Sequence, residues 1–131
     1  IEQRSKEILE KLYEKTPDTK ETLNKISEDL RIKEIKNPFF ICVVFGSYAK
    51  GTARKGSDLD LCVITNEEKV DREINTILDI TPFEIHYLKF SSDEFIKMLK
   101  TTEFNVGKGI VKNKIILKGI EEFYELINYV K

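Results

Sequence analysis

Residues 46 to 61 hold the side chains best suited to chemistry on a phosphate. They read Gly46-Ser47-Tyr48-Ala49-Lys50-Gly51, then five residues, then Ser57-Asp58-Leu59-Asp60-Leu61. Asp58 and Asp60 alternate at the head of an apolar run. In a strand, residues i and i+2 point to one face, with a rise of about 3.3 Å per residue, so the two carboxylates project together. Carboxylates held this way repel one another, and a divalent cation relieves that cost. Magnesium suits hard oxygen donors and leaves positions open for substrate phosphates. The preceding turn supplies the other half of such a site. Gly46 lets the backbone bend sharply and a phosphate approach closely. Ser47 offers a hydroxyl and an amide, and a helix beginning there would favour an anion. Lys50, Arg54 and Lys55 add positive charge in or near the turn. Gly51 and Gly56 keep the loop flexible, and Ser57 can orient either the first aspartate or the loop.

A third carboxylate is expected from a neighbouring strand. Glu84 is the candidate, an acid in an otherwise apolar stretch. His86 lies two residues on, shares its face, and reads as a structural rather than a catalytic histidine. Asp79 falls at an expected helix end and suits the role less.

The elements that must position these residues follow from the apolar spacing. Phe39 to Phe45 is an unbroken apolar run, which predicts a strand buried on both faces. Leu59–Ile64, Phe83–Leu88 and Ile115–Leu117 are the further strands. Helices are predicted over 66–79 with Thr65 and Glu68 at its cap, and over 92–101 behind a Ser91/Glu94 capping box. Another follows Gly119, with Ile120, Phe123, Tyr124, Ile127 and Val130 as its apolar positions. Residues 102–112 read as a short helix ending near Gly107 or Gly109. Ahead of the first strand, residues 1–15 and a segment from Asp18 to about Lys36 carry helical spacing, and Asn37-Pro38 ends the second of them. The alternation predicts an α/β (α+β) domain, a mixed sheet flanked by helices, over residues 37–131, with residues 1–36 as a helical extension.

Bulk composition narrows the function classes. The chain has 131 residues, enough for one domain with a core of its own. Its net charge of −1 gives no general attraction for nucleic acid. Cys42 and Cys62 sit in apolar runs and read as core residues of a reducing compartment. No run reaches the roughly 18 apolar residues of a membrane span, and no signal-peptide pattern is present, so a cytoplasmic protein is expected. The sequence opens at Ile1 with no Met, which leaves open residues ahead of it.

Residues 46–61 resemble the signature of the minimal nucleotidyltransferases in the DNA polymerase β superfamily: Gly-Ser-x-Ala-Arg-Gly, five residues, then Ser-Asp-x-Asp-Leu. The chain departs from it at Lys50, where arginine is commoner and its planar fork is lost. It departs again at Glu84, where aspartate is usual. The resemblance implies the nucleotidyltransferase fold and a two-metal transfer of a nucleoside monophosphate from a nucleoside triphosphate, with ATP the expected nucleotide. Asp58 and Asp60 would bind two Mg2+ ions with Glu84 as third ligand or base, and Gly46, Ser47, Lys50 and Ser57 would bind the nucleotide. Small proteins of this type resemble antitoxins that adenylylate a helical HEPN-type toxin. No segment is recognised that would hold tRNA, DNA or an antibiotic, so a partner protein is the expected source of the acceptor hydroxyl. The alternative is a non-catalytic module of the same fold that binds a nucleotide or partner, and Glu84 is the residue that separates the two.

Overall fold

A computed structural model describes residue 35 and residues 40–54, 56–80 and 84–130. The two helices expected before Lys36, the Asn37-Pro38 stop, Phe39, Lys55 and Phe83 lie outside the described residues, as does the boundary expected near residue 36.

The elements run β1 (Phe40–Phe45), α1 (Gly46–Lys50), β2 (Leu59–Thr65), α2 (Glu68–Asp79), β3 (Ile85–Phe90), α3 (Ser92–Lys100), α4 (Val106–Lys112), β4 (Ile115–Lys118) and α5 (Ile120–Val130). The four strands form one mixed sheet in the order β3-β2-β1-β4. β1 pairs antiparallel with both β2 and β4, and β2 pairs parallel with β3 across the α2 connection. β1 is buried at all six positions, as its unbroken apolar sequence requires of a strand covered on both faces.

Alternation along the strands divides the core in two. One sheet face carries Phe40, Cys42, Val44, Leu61 and Val63 and is covered by Tyr48 of α1 and by Val70 and Ile74 of α2. The other carries Ile41, Val43, Cys62, Ile64 and Ile116 and is covered by Phe95 of α3, Ile110 of α4 and Phe123 of α5. Phe95 and Phe123 are fully buried, and their rings meet tilted at 6.1 Å. Burial of each contributes roughly 2–3 kcal/mol.

Three boundaries differ from the sequence expectation. Thr65 does not cap α2. Its hydroxyl accepts the Glu67 N–H at 3.1 Å one residue before the helix, so α2 starts at Glu68 with Glu67 as its N-cap. β3 begins at Ile85 and runs on to Phe90, which leaves Glu84 just ahead of it. Helix α4 passes through Gly107 and Gly109 to Lys112. Asn105 starts it by accepting the Lys108 N–H at 3.1 Å, and a Cβ at Gly107 would already stand 3.0 Å from Met98 of α3. Gly107 sets close packing of α4 on α3, and neither glycine ends the helix. The Ser91/Glu94 box is formed in both directions. Among the described residues no helix is long and apolar enough to cross a membrane.

Candidate active site

β1 delivers the chain to the turn and β2 carries it away, and the register fixes how they meet. Phe45, the last residue of β1, has Asp60 of β2 as its Cα partner. Gly46 follows at φ 69°, a left-handed conformation that glycine adopts without steric cost. A Cβ built on Gly46 would lie 2.0 Å from Asp60 Oδ2. The carboxylate therefore occupies the space that any other side chain at 46 would fill.

The loop between turn and aspartates is tied down. Tyr48, only 5% exposed, anchors α1 in the core, and its hydroxyl donates to the Ser57 carbonyl at 3.2 Å. Ala53 is buried beside it. The Thr52 N–H donates to the Ser47 carbonyl at 2.9 Å. Ser57 closes the far end: its N–H donates to the Arg54 carbonyl, and its Oγ accepts the Arg54 N–H, both at 2.9 Å. Of the two roles open to Ser57 in the sequence, its bonds are those of a residue that orients the loop. Lys50, the last residue of α1, and Arg54 are exposed.

β3 brings the remaining groups. In the parallel pairing Leu59 is opposite Ile85 and Asp60 opposite His86. The Glu84 carbonyl accepts the Leu59 N–H at 3.2 Å, which ties it to the entry of β2. Asp58 and Glu84 each stand one residue ahead of their strand, so the register itself brings together Asp60 and His86. His86 Nδ1 is 2.9 Å from Asp60 Oδ1. The histidine side chain is 58% exposed and the aspartate 24%. His86 is thus not a core histidine, and its partner is a motif aspartate. Sequence reasoning missed this contact. Its one signal was the shared face with Glu84, since the parallel register that brings His86 to Asp60 is not written locally.

β3 is held from its other face. The Tyr87 hydroxyl donates to Asp71 Oδ1 of α2 at 2.6 Å. Burial, reinforced by that acceptor and its charge, drives the Tyr87 phenol well above its ordinary pKa, so it remains a donor.

The donor chemistry suits a divalent cation. Asp58 and Asp60 offer hard carboxylate oxygens at the head of β2, one exposed and one half-buried. Among the described residues, no three His, Cys, Asp or Glu side chains are drawn around one point that could take a metal ion. A carboxylate pair matches magnesium, which takes one or two protein carboxylates and fills its other positions with water and substrate phosphates. A separate groove of about 530 Å³ opens between α3 and α5 over Ile41 and Ile64, and no motif residue lines it.

No curated protein matches the sequence. A solved structure described as a toxin–antitoxin with AMP-PNP is similar to this chain, with 21% sequence identity and a TM-score of 0.46, over 79% of this chain and 77% of that one. The profile of the nucleotidyltransferase domain matches residues 23–117. That span holds the turn, both motif aspartates, Glu84 and His86, and this chain belongs to the nucleotidyltransferase domain family.

Proposed function

We propose that the chain transfers a nucleoside monophosphate from a nucleoside triphosphate to an acceptor hydroxyl. One observation supports this reading: Asp60 Oδ2 lies where a side chain at Gly46 would stand, so the phosphate-type turn meets the second motif aspartate directly. Amides at the start of α1 lack intrahelical partners and are free to donate to phosphate oxygens. Lys50 and Arg54 supply positive charge to the triphosphate, and Ser57 acts through the loop it closes. Asp58 and Asp60 would hold Mg2+, which when bound neutralises the phosphates and the departing pyrophosphate. Glu84, on the β3 side of Asp58, either joins them as a ligand or takes the proton of the acceptor hydroxyl. The hydroxyl oxygen bonds to the α-phosphorus as the bond from that phosphorus to the bridging oxygen breaks, and pyrophosphate leaves.

ATP is the nucleotide we propose, and a hydroxyl on a helical HEPN-type partner protein the acceptor. The likeness of residues 46–61 to minimal nucleotidyltransferases supports both. The net charge of −1, which offers no general draw for nucleic acid, also favours a protein acceptor. The test is label transfer. The chain is incubated with magnesium, each α-phosphate-labelled nucleoside triphosphate and helical proteins encoded beside it. Label on a partner with pyrophosphate released, lost in Asp58→Asn/Asp60→Asn, supports the reading. Nucleotide binding with no transfer to any acceptor favours the non-catalytic module, whereas a transfer that survives Glu84→Gln would remove Glu84 from the third-ligand role.

A further inference from the structure

We propose that His86 is a positioning residue for Asp60, holding that carboxylate so that one oxygen is turned to the Gly46 turn for magnesium and nucleotide. The proposal rests on the nucleotidyl-transfer reading and extends it to a residue outside the motif. Three observations carry it. His86 and Asp60 are paired in the β2–β3 register, so their Cα atoms are held by the sheet and not by the side chains. The contact uses Nδ1, the nitrogen nearer the backbone, which reaches Asp60 Oδ1 at 2.9 Å. The other oxygen, Oδ2, is the one lying over Gly46. Asp60 is thus divided between two neighbours: His86 fixes Oδ1, and the bare Gly46 backbone makes room for Oδ2.

The strand that carries His86 is itself fixed. Tyr87, the next residue, is bonded to Asp71 of α2 on the opposite sheet face. An Nδ1–H donated to a carboxylate also leaves Nε2 as the outer nitrogen of a largely exposed ring. A bond this exposed adds little to stability. Its consequence is orientation, the role that hydrogen-bond partners of metal-binding carboxylates commonly fill.

The experiment has two arms. His86 is the chain's single histidine, so nitrogen-15 NMR of the metal-free protein reads one imidazole. The expected spectrum shows Nδ1 protonated in wild type and a return to the free mixture of tautomers in Asp60→Ala. The second arm titrates magnesium at fixed ATP by calorimetry on wild type, His86→Ala, His86→Asn and His86→Gln. His86→Ala is expected to raise the half-saturating magnesium concentration about 10- to 100-fold with its melting temperature unchanged. His86→Asn places an amide N–H near the lost Nδ1 and recovers most of the loss, and His86→Gln does not. An Nδ1 without its proton in wild type overturns the proposal. So does a magnesium half-point unmoved or lowered in His86→Ala, or a loss that merely tracks a lower melting temperature. Failure of the underlying reading looks different: wild type itself then takes up no magnesium with ATP, which overturns both. A magnesium-binding wild type indifferent to His86→Ala overturns this proposal alone.

Discussion

Gly46 and Asp60 share one space: a Cβ on the glycine would lie 2.0 Å from the aspartate's Oδ2 and 2.9 Å from its Cγ. The glycine at φ 69° therefore does two things, turning the chain after β1 and seating the carboxylate of β2. Gly46→Ala adds a methyl group to that space and forces a left-handed alanine, which costs about 1–2 kcal/mol. The expected outcome is at least a tenfold loss of magnesium–nucleotide affinity with a modest drop in melting temperature. Calorimetry beside a thermal melt checks it, and unchanged affinity would separate Gly46 from the seat of Asp60.

Gly119 provides the contrast. It too has a positive φ, 82°, and its Cβ would meet the Phe40 carbonyl oxygen at 2.7 Å and Ile41 Cα at 3.0 Å. Those obstacles are backbone, which does not swing aside. Gly119→Ala is expected to destabilise the fold by about 1–3 kcal/mol, within the ordinary range of single substitutions, because β1 must shift. Nucleotide affinity of the folded fraction should stay at the wild-type level. Urea unfolding with binding measured well below the transition tests this.

The start of α3 gives a pH signature. Ser91 Oγ accepts the Glu94 N–H at 3.1 Å, and the Ser91 N–H donates to Glu94 Oε1 at 2.8 Å. That backbone donor, helped by the Ser91 side chain, holds the Glu94 carboxyl below its ordinary range. A carboxyl lowered on folding contributes stability above its unfolded pKa, about 4.3, and loses it as the pH falls through the folded value. Ser91→Ala should cost about 1 kcal/mol at neutral pH. Glu94→Gln should flatten the acid limb of the stability profile, seen by melts from pH 7 to pH 3.

Cys42 and Cys62 face opposite sides of the sheet, each with no exposed surface. Burial pushes the Cys62 thiol up to about 12, and Cys42 is raised still further by the same cause. Both thiols should resist a disulfide reagent such as Ellman's at neutral pH and react at the rate of unfolding. Stability from these thiols is complete below their unfolded pKa, about 8.5, and falls as the pH rises toward the folded values. Fast stoichiometric labelling of the native chain would contradict the burial.

What the sequence made legible was what is local. The run into Phe45 and the Ser91/Glu94 box each sit within a few residues and appear where their pattern placed them, while of the two aspartates Asp60 lies in β2 and Asp58 just ahead of it. What stayed hidden depends on partners distant in the chain. Whether Glu84 or His86 faces Asp60 is set by a parallel register between strands joined through α2, and no turn of fixed length imposes it. Helix α4 runs through two glycines, and at one of them, Gly107, a Cβ would crowd Met98, a packing constraint invisible in propensity. Tyr48, the variable position of the motif, proved to be the anchor that straps the loop to the core.

The most direct measurement is calorimetric titration of each nucleoside triphosphate, with and without magnesium, into wild type and Asp58→Asn/Asp60→Asn. The account predicts magnesium-dependent binding, with ATP preferred, that disappears in the double variant while the melting temperature holds. Magnesium-independent binding, or binding of equal strength in the double variant, would contradict it by placing the nucleotide away from the two aspartates.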